Sequence, residues 1–151
     1  MAIAITLHVI AAVLWVGGMF FAWMILRPVA AGQLEPPARL RLWRGVFDRF
    51  FPWVWAAVVV LLVTGLWMLF AVFGGMAGAR WHIHLMLLVG LAMMAIYLHL
   101  WFAPYRRLCR AVEASDWPEG GRQLAQIRRL VGINLILGLL TTAIASGGRY
   151  I

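Results

Sequence analysis

The run AIAITLHVIAAVLWVGGMFFAWMIL, residues 2–26, holds no charged side chain in 25 positions. A helix rises 1.5 Å per residue and crosses about 30 Å of hydrocarbon with roughly 20 apolar residues. This run suffices. It is also too long for the apolar stretch of a signal peptide, and no basic segment precedes it, so it reads as a span. Three further runs qualify: Pro52–Phe73, Trp81–Ala103 and Leu130–Gly148. Their apolar residues are continuous rather than alternating, which argues for helices and against a membrane barrel. The sequence predicts an all-α integral membrane protein, a single four-transmembrane-helix bundle over residues 1–151.

Composition agrees. Of the 151 residues 65% are hydrophobic and 12% charged, and mean hydropathy is +0.92. A soluble domain carries about 25% charged residues and cannot hide so much apolar surface at this size. The net charge of +8 comes entirely from arginine, 13 residues against five acidic ones. These arginines lie between apolar runs, so they speak for membrane topology and not for nucleic acid. The single cysteine, Cys109, excludes an internal disulfide and a multi-cysteine metal site.

Arginine placement sets an orientation. The first connection contains Arg27, Arg39, Arg41, Arg44 and Arg49, and the third contains Arg106, Arg107, Arg110, Arg122, Arg128 and Arg129. Only Arg80 and Arg149 fall on the opposite side. The positive-inside rule predicts cytoplasmic long connections and both termini outside, in a bacterial inner membrane. Within the first connection, Leu40, Trp43, Phe47 and Phe50 recur at helical spacing among charged residues. That pattern predicts an amphipathic cytoplasmic helix over Pro37–Phe51, lying on the inner leaflet between spans 1 and 2. In the third connection, Ser115 is placed to cap a short helix.

The chemistry rests on histidine. No Asp, Glu or Lys lies in any span, whereas His8 sits in the first and His82, His84 and His99 in the third. An ionisable residue at membrane depth is costly and ordinarily has a partner. His8 lies about 9 Å in from the outer side and His84 about 4–5 Å, so the two can share an outer site if their helices touch. His99 is about 22 Å further towards the cytoplasm and belongs to a separate region. His82 and His84 lie about 200° apart around the helix, which places His82 off the shared face. Trp15 shares a face with His8, and Gly17 and Gly18 leave room for a flat ligand or for close approach of another backbone.

Two imidazoles from two helices suit b-type haem, with Arg80, Arg149, Thr141, Thr142 and Ser146 placed for propionates. This predicts a haem-binding redox protein, an oxidoreductase exchanging electrons with quinone or a small redox substrate and forming homo-oligomers. Copper is the alternative, held by His8, His84 and His82 with thioether help from Met19 or Met86. A third reading makes the histidines simple interhelical bonds, as is expected of Asn134.

The pattern H-x6-W-x-G-G of His8, Trp15, Gly17 and Gly18, closed by Leu26-Arg27-Pro28, resembles the first helix of bacterial CopD-like membrane proteins. The likeness extends loosely through the third span to Gly147-Gly148-Arg149. The CopD name implies copper uptake or resistance. CopD-like proteins are similar in turn to HemJ-type protoporphyrinogen oxidases, four-helix proteins associated with haem b. That likeness implies functional roles at His8 and His99. It also implies a lysine near the start of the third helix, where this lysine-free chain has His84, a replacement that suits bis-histidine haem ligation.

Overall fold

The computed structural model describes residues 1–147 and is helical nearly throughout, with no strand among the described residues. Four helices are long and apolar enough to cross a membrane: α1 Ala2–Gln33, α2 Pro36–Ala71, α3 Trp81–Glu113 and α4 Trp117–Gly147. Their 31 to 36 residues correspond to roughly 46–54 Å, well beyond a hydrocarbon core of about 30 Å. The surplus lies at one end. There α1 turns into α2 through Leu34 and Glu35, and α3 turns into α4 through Ala114–Asp116. Eleven arginines cluster around these two reversals, so this is the arginine-rich end. The opposite, histidine-bearing end carries the N-terminus, the α2–α3 loop and the end of α4.

The segments expected as long connections are therefore helix. Pro37–Phe51 is helical, as its periodicity predicts, but it continues unbroken into the second span. Its apolar stripe does not rest on a leaflet. Leu40, Trp43 and Phe47 are buried in the protein core together with Leu108, Leu124 and Ile127 of α3 and α4. Periodicity shows that a helix has an apolar face; neighbouring helices cover this one before lipid can. The expected cap also shifts by one residue. Ser115 adopts a left-handed backbone (φ 55°), and Asp116 Oδ1 accepts the Glu119 amide at 3.1 Å, as an N-cap does.

Proline shapes both helices that run towards the arginine-rich end. Residues Phe21–Leu26 of α1 and Trp101–Tyr105 of α3 form π-helical turns. One lies just before Pro28 and the other contains Pro104. A helical proline lacks its amide donor and crowds the carbonyl four residues back, and a wide turn relieves both faults. At the other end the chain turns away after α2 through Gly74 and Gly75, with φ of +72° and +83°, values that favour glycine. The Gly75 amide returns to the Leu69 carbonyl at 2.9 Å.

Around the bundle the order is α2, α1, α4, α3, and α2 also reaches α4 and the far part of α3. Small residues allow close approach. A methyl at Gly138 of α4 would lie 2.7 Å from Val16 of α1, so the glycine is what lets these helices touch. Asn134 Nδ2 donates to the Met93 carbonyl at 3.1 Å and ties α4 to α3, the expected role for that residue. An aromatic cluster joins α2 to α3: Phe47 stacks on Phe51 at 5.0 Å, and Phe51 meets Tyr97, Trp101 and Tyr105 edge-on. The outer faces stay apolar, with Ile3, Val13, Phe70, Leu88 and Ile136 all exposed, as suits a chain whose solvent is lipid.

Candidate metal-contacting site

His8 lies half-buried in α1 against Thr64 and Gly65 of α2. Its Nδ1 is 2.8 Å from Thr64 Oγ1, and that hydroxyl gives its single hydrogen to the Val60 carbonyl at 2.6 Å. Thr64 therefore accepts from His8, and Nδ1 must carry the imidazole hydrogen. The other ring nitrogen, Nε2, keeps its lone pair. Gly65 makes the approach possible, because a methyl there would lie 3.3 Å from His8 Cε1. Thr64 is the sole hydroxyl in the second apolar run, yet nothing in the sequence ties it to a histidine 56 positions earlier.

A mirror-image situation holds at the start of α3. His84 Nε2 is 3.2 Å from the Ala79 carbonyl. A carbonyl only accepts, so Nε2 carries the hydrogen and Nδ1 keeps the lone pair. Both rings thus hold one nitrogen in a hydrogen bond and leave the other as a donor to metal. Histidine ligands in metalloproteins share this arrangement, with the second nitrogen bonded to a carbonyl or similar group that fixes tautomer and ring orientation. His82, half-buried beside the edge-on ring of Trp81, has a buried Nδ1 without a hydrogen-bond partner.

The remaining candidates are distributed more widely. Trp15 is 4% exposed and packs edge-on against Tyr97 at 6.1 Å, which brings α1 and α3 together deeper in the bundle. The space at Gly18 is taken by Phe50, whose ring carbons would lie 2.4 Å from an added methyl. A flat ligand has no room there. Thr141, Thr142 and Ser146 donate to carbonyls of their own helix. Arg80 is exposed at the N-cap of α3, and Arg149 lies outside the described residues. His99 is exposed near the arginine-rich end of α3, fifteen residues from His84.

The structure thus brings His8 to α2, and His84 to the turn preceding its own helix. Among the described residues no three His, Cys, Asp or Glu side chains converge as a closed metal cage. Neither this geometry nor the comparisons with known proteins supports the haem reading.

Those comparisons yield one family. Residues 44–147, more than two thirds of the chain, match copper resistance protein D. The match includes His82, His84, His99 and Thr64 and leaves His8 outside it. No curated protein and no solved structure matches, and the likeness to HemJ-type oxidases gains no support. With four apolar helices long enough to span and a family match over most of its length, this multi-pass membrane protein belongs to the copper resistance protein D family.

Proposed function

We propose that the protein handles copper as cargo in a bacterial inner membrane, contacting it through His8 and His84 at the histidine-bearing end. The observation that carries this reading is the paired tautomer arrangement. Each ring is held through one nitrogen and leaves the other free, His8 at Nε2 and His84 at Nδ1. Imidazole nitrogen is a suitable copper ligand. The bias of arginines towards the opposite end supports an orientation with the histidines outside, where copper arrives. Copper that has to move on needs contacts strong enough to capture it and open enough to release it. Single nitrogens on separate helices meet that need better than a closed cage.

The test is a Cu(I) competition titration on protein reconstituted in nanodiscs. His8→Ala and His84→Ala are each expected to weaken binding at least tenfold, while His99→Ala leaves it within twofold. Equal binding by wild type and both variants would overturn the proposal. So would a Soret band in the absorbance spectrum of the same preparation.

A further inference from the structure

A positively charged patch lies at the other end, where α1, α2 and α4 meet. Trp23, Trp43, Phe47 and Ile127 form a shallow apolar notch with Arg27 and Arg128 on its rim. Arg27 lies over the Trp23 ring at 4.5 Å. The indole in turn rests against Gly132 of α4, where a methyl would lie 3.0 Å from it. The aromatic wall and the cation above it are therefore fixed in place by helix packing.

Positive charge dominates this corner. Arg27 and Arg39 both act electrostatically on Arg128, and no carboxylate does. The acidic residues are engaged elsewhere. Asp48 and Glu113 pair with Arg44, Glu119 pairs with Arg122, and Asp116 caps α4. Glu35 is exposed at the start of α2. Three half-buried guanidiniums held near one another without an anion repel, and a bound anion relieves that repulsion.

We propose that Arg27, Arg39 and Arg128 bind the phosphate of an anionic phospholipid whose acyl chain starts over the half-buried Trp23 at the mouth of the notch. Charge complementarity selects a phosphate, since guanidinium binds phosphate oxygens in a two-pronged fashion. The apolar floor selects a lipid over a free ion. Basic pockets between membrane helices on the arginine-rich side are of the kind that hold anionic headgroups. The site is independent of the copper reading, because it lies at the opposite end from His8 and His84.

Native mass spectrometry of the full-length protein released from detergent micelles tests it, with phosphatidylglycerol, phosphatidylethanolamine and inorganic phosphate added in turn. Phosphatidylglycerol is expected to remain bound in preference to phosphatidylethanolamine. Each arginine near an anionic surface contributes about fivefold, so the double variant Arg27→Gln/Arg128→Gln should lower retention by roughly 20-fold. The exposed Arg129→Gln control should stay within twofold. Where the double variant does not elute as a folded species, Arg39→Gln alone should lower retention about fivefold. Equal retention of the two lipids overturns the proposal, as does an equal loss in the Arg129 control. Displacement of phosphatidylglycerol by equimolar inorganic phosphate would also overturn it, by showing a phosphate site without lipid selectivity.

Discussion

Thr64→Val removes one hydroxyl and nearly preserves shape, which makes it the sharpest probe of the His8 geometry. In the wild-type protein Thr64 accepts from His8 Nδ1 at 2.8 Å and donates to Val60 at 2.6 Å. Valine can do neither, so the imidazole loses the contact that sets its tautomer and its rotation. Loss of such an outer partner typically costs about 10–100-fold in metal affinity, or about 1.4–2.7 kcal/mol. The stability cost should be smaller. An interhelical hydrogen bond in a membrane averages about 0.6 kcal/mol and rarely exceeds about 1.7. The Val60 carbonyl keeps its helical partner, so its loss of Thr64 adds little. A Cu(I) competition titration should therefore show a tenfold or greater loss in Thr64→Val while thermal unfolding moves only slightly. Thr64→Ser, which keeps the hydroxyl, should restore most of the affinity. Wild-type affinity in Thr64→Val alongside its loss in His8→Ala would refute the orienting role. A Thr64→Ser variant as weak as Thr64→Val would refute it equally, because packing of the methyl would then be the cause.

Two further outcomes follow from the packing at the arginine-rich end. Phe51→Ala should destabilise the bundle by about 2 kcal/mol, read by reversible unfolding in mixed micelles. Phe51 is 3% exposed and touches five other aromatic rings, and a cavity of roughly 100 Å³ at about 24 cal/mol per Å³ gives that figure as the cavity term alone. A loss below about 0.5 kcal/mol would mean the cluster closes over the cavity. By contrast, a double-mutant cycle on Arg44 and Glu113 should give a coupling below about 1 kcal/mol despite their 2.7 Å contact, because both side chains are partly or largely exposed. A coupling above about 2 kcal/mol would show that ion pairing, and not aromatic packing, holds α2 to α3.

Hydropathy located an apolar stretch in each of the four helices and missed where the helices end. Trp81 begins α3 as expected, but α3 continues ten residues past Ala103, and α4 begins thirteen residues before Leu130. A water-exposed helix end depends on caps and breakers, and here Pro36, Asp116 and the glycines after Val72 set the limits. The same limitation hid the true environment of Leu40, Trp43 and Phe47, whose spacing defines a stripe without naming its cover. At the site the histidines stood out, because so few ionisable side chains lie in the apolar runs. Their hydrogen-bond partners did not. One is a threonine 56 positions away and the other a backbone carbonyl, and no side-chain pattern announces a carbonyl.

The two ends of the bundle divide their tasks. Most of the large buried side chains lie towards the arginine-rich end: Leu40, Trp43, Phe47, Phe51, Tyr97, Tyr105, Leu108, Leu124 and Ile127. Towards the histidine-bearing end the buried residues are few and mostly small, such as Ala11, Thr64 and Gly138. Contacts of packed atoms supply much of the association energy in lipid, where no hydrophobic force draws helices together. The helices are therefore clamped at one end, and the other has fewer packed atoms to resist small relative movements. His8 rides on α1 and His84 on α3, helices joined near midspan by the Trp15–Tyr97 contact. Beyond that contact the two imidazoles lie where the bundle is least constrained. A cargo site needs such latitude, because each nitrogen must meet the ion and then let it go. A resident cofactor needs the reverse, a pocket held rigid by its surroundings. In this chain the denser packing lies at the end away from His8 and His84, and that distribution fits the proposed transient copper contact better than a permanently bound group.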